Sequence, residues 1–322
     1  MAVLEKNNNR AFYEAGHYPN LSNEEYHGSF GYSSTTLKIL SEKTKRHMDF
    51  LATVNQEEKS CFVKGRLLHS MVLEPHLVDS EFFVIPEGVS KPPGRILSAN
   101  NPSADSQKKI RAWREFENEC GNRTAVKSED WRHCSTMAKS IREHPVMGRW
   151  FDGSIPGLAE QSIYYWYKSE DWDERNDYKT MLKCRPDWVL EGHPVIFDIK
   201  TTRDASFSAF MRDAKKLGYH VSAAMYLDGA NRCQAFKKSC NVIAFTKFVW
   251  VVVESEPPYC ATYYEVSEKD LQAGAEIYHR LVRRLDRYKR SDWQGYGEQD
   301  ENGFITPEGR VSDLPGWGNN IV

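Results

Sequence analysis

Residues 183–202 read KCRPDWVLEGHPVIFDIKTT. Two β-prone stretches, 183–190 and 194–200, flank Glu191-Gly192-His193, a short polar turn centred on glycine. The second stretch sets Asp198 and Lys200 in an otherwise apolar run of Val195, Ile196, Phe197 and Ile199. Side chains alternate across a strand, so Asp198 and Lys200 share a face. If the first strand pairs with the second, Asp187 approaches the same spot. The pattern of Asp187, ten residues, Asp198, one residue and Lys200 then brings two carboxylates and an ammonium together.

An apolar strand is a buried one, and buried charges need partners or a metal. Carboxylate oxygens suit hard cations, magnesium or manganese, rather than zinc. Such an ion polarises a phosphoryl oxygen and lowers the pKa of a bound water. Lys200 beside it can position that water and stabilise developing charge. The chemistry so read is phosphodiester hydrolysis. The plainer alternative is a surface hairpin with an ordinary salt bridge, which is common and weak.

Downstream, a helix carrying Phe207, Phe210, Ala214 and Leu217 ends at Gly218, and another covers 220–230. Stretches 242–254 and 259–266 make a hairpin about Pro257-Pro258. Ser267, with Asp270 three positions on, caps a last helix that aligns Leu271, Gly274, Tyr278, Leu281, Leu285 and Tyr288. Upstream, 159–167 is a strand rich in Tyr, Trp and Ile. Before it the pattern is helical: 34–51, 64–73, a helix with Ile110, Trp113 and Phe116 stopped by Gly121, and 129–143. A polar lead-in covers 1–30, and a loop rich in Pro, Ser and Asn covers 91–106.

The expected fold class is α/β (α+β), a central mixed β-sheet flanked by helices with a helical N-terminal half. No linker separates two units, so one domain is expected over 1–322. Its parts are mainly helical 1–157, a catalytic sheet core over 158–293 and an irregular tail over 294–322. Hydrophobic residues form 40% of the 322 positions, an ordinary globular share. Basic residues number 43 against 45 acidic, a net charge of −2. That excludes binding to nucleic acid through a uniformly basic surface and requires a local patch. The seven cysteines, Cys61, Cys120, Cys134, Cys184, Cys233, Cys240 and Cys260, form no C-x-x-C pair. They read as reduced thiols, not as a zinc ribbon or a four-cysteine iron–sulfur site. No apolar run reaches membrane-spanning length, and residues 1–25 lack an apolar signal core, so no membrane association and no secretion are expected.

The residues around Asp187, Asp198 and Lys200 resemble the PD-(D/E)XK nuclease superfamily, and more narrowly exonucleases of the RecE (exodeoxyribonuclease VIII) type of phages and prophages. Further blocks match in order. They are Gly65-Arg66-Leu67-Leu68-His69 with Leu73-Glu74-Pro75, Ala159-Glu160-Gln161-Ser162, Lys183-Cys184-Arg185-Pro186-Asp187, Asp198-Ile199-Lys200-Thr201-Thr202, the segment from Tyr219 to Tyr226, and Leu314-Pro315-Gly316-Trp317. Together they cover residues 26–318. The glutamine of the family's Q-x-x-x-Y helix falls on Ser222, a shorter side chain.

The resemblance implies a restriction-endonuclease-like core and a set of roles. Asp187 and Asp198 hold Mg2+ or Mn2+ together with the Ile199 carbonyl. Glu160 holds a second metal or a metal-bound water, His69 lies beside the metal, and Lys200 orients and activates the attacking water. Arg185, Thr201, Ser222 and Tyr226 face the substrate. On the residues alone, His69 among Leu67, Leu68, Met71 and Val72 reads as packing, and Tyr226 as a core aromatic. The implied activity is a metal-dependent exonuclease at double-stranded DNA ends, running 5′ to 3′. It leaves a 3′ single strand for an annealing recombinase in the bacterial cytoplasm. The resemblance also implies a homo-oligomeric ring, a trimer or tetramer.

Three basic clusters offer a DNA surface: Lys43, Lys45 and Arg46; Lys108, Lys109, Arg111 and Arg114; and Arg280, Arg283, Arg284, Arg287, Lys289 and Arg290. The first two are assigned to DNA. The last helix, with its apolar stripe, is assigned to subunit contacts. Two alternatives stay open. A structure-specific or nicking endonuclease would use the same metal site. A non-catalytic DNA-binding or inhibitor protein could keep the scaffold, although the intact Asp187, Asp198 and Lys200 speak against it.

Overall fold

A computed structural model describes residues 10–53, 60–168 and 179–297, so Leu314-Pro315-Gly316-Trp317 lies outside the described residues. The strands are β1 (Gly16–Tyr18), β2 (Phe82–Ile85), β3 (Thr124–Lys127), β4 (Gly157–Ala159), β5 (Ser162–Tyr167), β6 (Thr180–Cys184), β7 (Trp188–Leu190), β8 (Val195–Thr202), β9 (Lys247–Glu254) and β10 (Ala261–Glu265). A five-stranded sheet has the order β10-β9-β8-β7-β4, a three-stranded sheet the order β1-β5-β6, and β2 pairs with β3. In the larger sheet β8 and β9 are parallel and the other pairs antiparallel, the mixed α/β arrangement that the sequence predicts. No described helix is long and apolar enough to cross a membrane.

The apolar runs of β8 and β9 have a direct cause: helices cover both faces of this parallel pair. Phe197, Ile199, Val249, Val251 and Val253 face a layer built on Leu67, Leu68, Cys134, Met137 and Ile141. Ile196, Phe248, Trp250 and Val252 face a second layer with Phe210, Val221, Met225, Tyr278 and Leu285. Parallel strands need a long crossover. The helices Phe207–Leu217, Tyr219–Arg232 and Gln234–Ser239 supply it.

Two expected strands are each broken in the middle. The stretch 183–190 is β6 and β7, interrupted at Arg185-Pro186-Asp187, and 159–167 is β4 and β5, interrupted at Glu160. Pro186 has no N–H to give a ladder, and Glu160 adopts a positive φ of 50°. The breaks lie opposite each other. The Glu160 N–H donates to the Asp187 carbonyl at 2.9 Å, and that of Gln161 to the Pro186 carbonyl at 3.3 Å. The strand pair thereby passes from one sheet to the other: Ile163 pairs with Cys184 in the smaller, Ala159 with Trp188 in the larger.

Other expectations change in detail. Part of the polar lead-in is ordered: β1 extends the smaller sheet, and Ser22 and Glu25 form a capping box on the helix Asn23–Gly28. The helix expected over 34–51 is two, Ser34–Ile39 and Lys45–Thr53. The strand expected from 242 begins at Lys247. The loop over 91–106 contains a helical turn, Gly94–Leu97.

The last helix, Glu268–Arg290, corrects an assignment. The stripe expected to meet other subunits is interior: Tyr278, Leu281, Val282, Leu285 and Tyr288 are all buried in the second layer. It lies close on the helix Tyr219–Arg232, because a Cβ at Gly274 would sit 2.2 Å from the His220 carbonyl oxygen.

In β6, Lys183 is buried, and its ammonium donates to Tyr26 O at 2.6 Å, Ser29 O at 2.9 Å and Ser29 Oγ at 3.1 Å. Burial, with repulsion from Arg10, lowers its pKa from 10.5 to about 7. Between these values the unfolded chain binds more protons than the folded one, so this group's contribution to stability rises with pH. Below about 7 the charge is buried at full cost. The urea-unfolding stability of wild type minus that of Lys183→Met should therefore move in favour of wild type from pH 7 to pH 9. A difference independent of pH would show that this ammonium is not held down by burial.

Candidate active site

The helix Ser60–Leu73 seats Leu67, Leu68 and Val72 in the first layer and turns His69 towards the double strand break. His69 Nδ1 lies 3.1 Å from Glu160 Oε1, and its Nε2 lies 3.7 Å from Asp187 Oδ2. One ligand atom from each of these three residues falls within 4.8 Å of the others. Glu160 reaches this place because its turned backbone leaves β4, and Asp187 because Pro186 ends β6.

The strand β7 pairs with β8 only at Trp188–Phe197 and Val189–Ile196. Beyond Phe197 no strand among the described residues pairs with β8 on that side, and the Asp187 carboxylate takes the Ile199 N–H at 2.7 Å. In extended backbone a residue's N–H and C=O point the same way. The Ile199 carbonyl therefore faces the same edge. Asp198 and Lys200 share a face, as alternation predicts, and the Lys200 ammonium is ion-paired with Asp198 Oδ2. Lys200 Nζ also stands 5.2 Å from the centre of the Tyr219 ring. Asp198 lies outside the three-residue group but close enough for its charge to act on Asp187.

Asp187 and Asp198 are 7% and 6% exposed. Burial, with the Asp198 and Glu160 charges, pushes Asp187 up to about 7, against the opposing pull of His69 and Lys200. Burial alone would lower His69; the Asp187 and Glu160 carboxylates outweigh it and raise the imidazole to about 9. Burial likewise works against Glu160, but His69 and Arg185 hold its carboxyl below the ordinary value. For Lys200, the two aspartates overcome burial and keep the ammonium above its ordinary value. Two carboxylates, an imidazole and a carbonyl on one edge are an oxygen-rich donor set, which fits magnesium or manganese.

Arg185, expected to face the substrate, also makes contacts within the chain. Its Nε meets the Glu160 carbonyl at 2.9 Å and Glu160 Oε2 at 3.0 Å, and its Nη2 donates to Leu21 O at 3.0 Å. It fixes Glu160 and ties the lead-in to the site. Thr201 is exposed just beyond Lys200. Tyr226 is half-buried against the second layer, 6.2 Å from the Phe248 ring. Ser222 is also half-buried, and its hydroxyl accepts from Lys38 Nζ at 3.1 Å.

Lys108, Lys109 and Arg111 stand on the helix Ala104–Cys120, whose Trp113, Phe116 and Cys120 form a separate small cluster. Lys109 is paired with Asp105 at 2.7 Å. Among the described residues, no hydrogen bond or ion pair joins this helix to the His69, Glu160 and Asp187 group. Lys38 is the site neighbour that sequence reading missed. Its contact with Ser222 spans 184 positions, and a single lysine in a short helix carries no pattern that would flag it.

No curated protein sequence matches the chain. Solved structures similar to it include the following two. One is a candidate exonuclease from Eubacterium rectale, with a TM-score of 0.47 and 10% identity over 83% of this chain and 85% of that one. The other is the protein SSO0001, with a TM-score of 0.27 and 13% identity over 68% of this chain and 85% of that one. A family model described as a PDDEXK-like domain of unknown function matches residues 33–298, a span that includes the broken strands, His69 and Lys200. The chain belongs to this family of PDDEXK-like domains, within the PD-(D/E)XK nuclease superfamily.

Proposed function

We propose that this protein is a divalent-metal-dependent deoxyribonuclease that works as an exonuclease at double-stranded DNA ends. One observation carries the reading: His69, Glu160 and Asp187 converge within 4.8 Å at the edge of β8, with Lys200 on the same strand. Magnesium or manganese would be held by Asp187, Glu160 and His69, with Asp198 and the Ile199 carbonyl on the adjoining edge. When bound, the ion supplies Lewis acidity at a phosphoryl oxygen. Lys200, ion-paired with Asp198, would orient the attacking water and stabilise negative charge on the phosphate. Arg185 holds Glu160 in register through its Nε.

The finer reading is a RecE-type enzyme that degrades one strand 5′ to 3′ and leaves a 3′ strand for an annealing recombinase. It is supported by the resemblance of the blocks around His69, Glu160, Asp198 and Tyr226. A ring of three or four copies would need a face other than the buried stripe of the last helix.

Asp187→Asn keeps an oxygen for the Ile199 N–H but removes a charge from the metal group. It should weaken Mn2+ binding in calorimetry and abolish cleavage, with thermal melting little changed. Near-normal cleavage would remove Asp187 from the site. Lys200→Ala should keep metal binding and lose turnover by about two orders of magnitude. A variant that cuts DNA at the wild-type rate would strip Lys200 of its role. The wild-type protein with Mn2+ should digest linear plasmid and spare covalently closed circles. Equal rates on both would replace the exonuclease reading with an endonuclease one.

A further inference from the structure

The helix Phe207–Leu217 ends at Gly218, whose φ of +64° starts the next helix at Tyr219. A lysine from the N-terminal part closes over this junction. Lys38 Nζ donates to Leu217 O at 3.0 Å and to Ser222 Oγ at 3.1 Å, while Gly218 O stands at 3.5 Å. Its methylenes lie on the glycine, since a Cβ at Gly218 would come within 2.9 Å of Lys38 Cδ. Two of the three ammonium N–H bonds are thus well used, and the third has only a long contact.

All these acceptors are neutral. Among the described residues, no carboxylate lies at ion-pair distance from Lys38 Nζ. Its charged surroundings are instead those of the proposed active site, where Lys200 repels it and Asp198 attracts it. Burial first, and then Lys200, lower its pKa to about 8. Lys200 has its own counter-charge in Asp198, so the surplus positive charge of the pair resides on Lys38. A groove of about 290 Å³ runs past Leu217 and Tyr219; Arg203 and the acidic Asp213 both line it, and Lys38 and Lys200 stand outside its lining. Lys38 bonds to Leu217 on this groove, and Lys200 stands over Tyr219. A half-buried cation with no carboxylate at ion-pair distance, on the helix junction that also carries Tyr219 under the Lys200 ammonium, favours an anion.

We propose that Lys38 is a phosphate-binding residue of the active site, holding a backbone phosphate of the cleaved DNA strand on the Lys200 side. This rests on the nuclease reading above. Ser222, at the position where related chains carry glutamine, then serves to aim the lysine.

The test uses the full chain and a labelled duplex oligonucleotide in Ca2+ for binding, and Mn2+ for turnover. Lys38→Met should weaken duplex binding about tenfold and reduce the slope of log K against log salt by about 0.9, the share of one phosphate contact. It should raise KM more than it lowers kcat and leave Mn2+ binding in calorimetry unchanged. Lys38→Arg should restore affinity and slope. If Lys38→Met melts well below wild type, Lys38→Gln reads the same quantities, because its amide can still donate to Leu217 O. Wild-type affinity and salt slope in a folded, uncharged variant would overturn the proposal and leave the nuclease reading standing. A wild-type protein that binds Mn2+ but neither binds nor cuts duplex DNA would overturn both.

Discussion

The hydrogen bond from the Glu160 N–H to the Asp187 carbonyl stitches together two strands at the point where both change sheet. Without this paired break, β4–β5 and β6–β7 would be two continuous ladders, and their side chains would alternate without converging. The break turns Glu160 out of β4, frees Asp187 from the β6 ladder and, among the described residues, leaves β8 without a strand partner on that side beyond Phe197. A non-glycine residue at positive φ costs roughly 1–3 kcal/mol. The adjoining Gln161 bond to Pro186 and the Arg185 grip on the Glu160 carbonyl offset that cost.

The charges at this place are stable only as a set. Three carboxylates, Glu160, Asp187 and Asp198, are compensated by His69, Arg185 and Lys200. Removing one partner from a buried ionic group exposes the desolvation cost of those that remain. The pairs also divide the labour spatially. Arg185 faces the lead-in side of Glu160, and Lys200 faces the Tyr219 side of Asp198. Between them lies the one carboxylate pushed up towards neutral, Asp187, whose hydrogen bond to the β8 backbone fixes it regardless of its protonation.

Much of this was legible in residues 183–202. An apolar run carrying two charges at alternate positions reads as a buried strand with a polar site on one face, and β8 is such a strand. The cap at Ser267 and the stop at Gly121 were legible because each has a local cause, a hydroxyl acceptor and a glycine C-cap. The strand breaks were not. Apolar alternation on either side of Glu160 is the same for a straight strand and for one that changes sheet, and only Pro186 hinted at an interruption. The last helix shows a second limit. An amphipathic stripe states that a partner exists without saying whether it lies in the same chain. Arg185 shows a third, because charge type alone does not reveal that a guanidinium grips Glu160 and the Leu21 carbonyl.

The separations along the chain have a kinetic consequence. His69 and Glu160 are 91 positions apart, Arg185 and Leu21 are 164 apart, and Lys38 and Ser222 are 184 apart. Every one of these contacts closes a long loop, and the parallel β8–β9 ladder adds another across three helices. Non-local closures of this kind are paid for in chain entropy before they return any stabilisation, so they form late in folding. The proposed metal group therefore depends on long-range pairings rather than on any local segment. A partly folded chain carries the carboxylates without the geometry that the proposed chemistry needs.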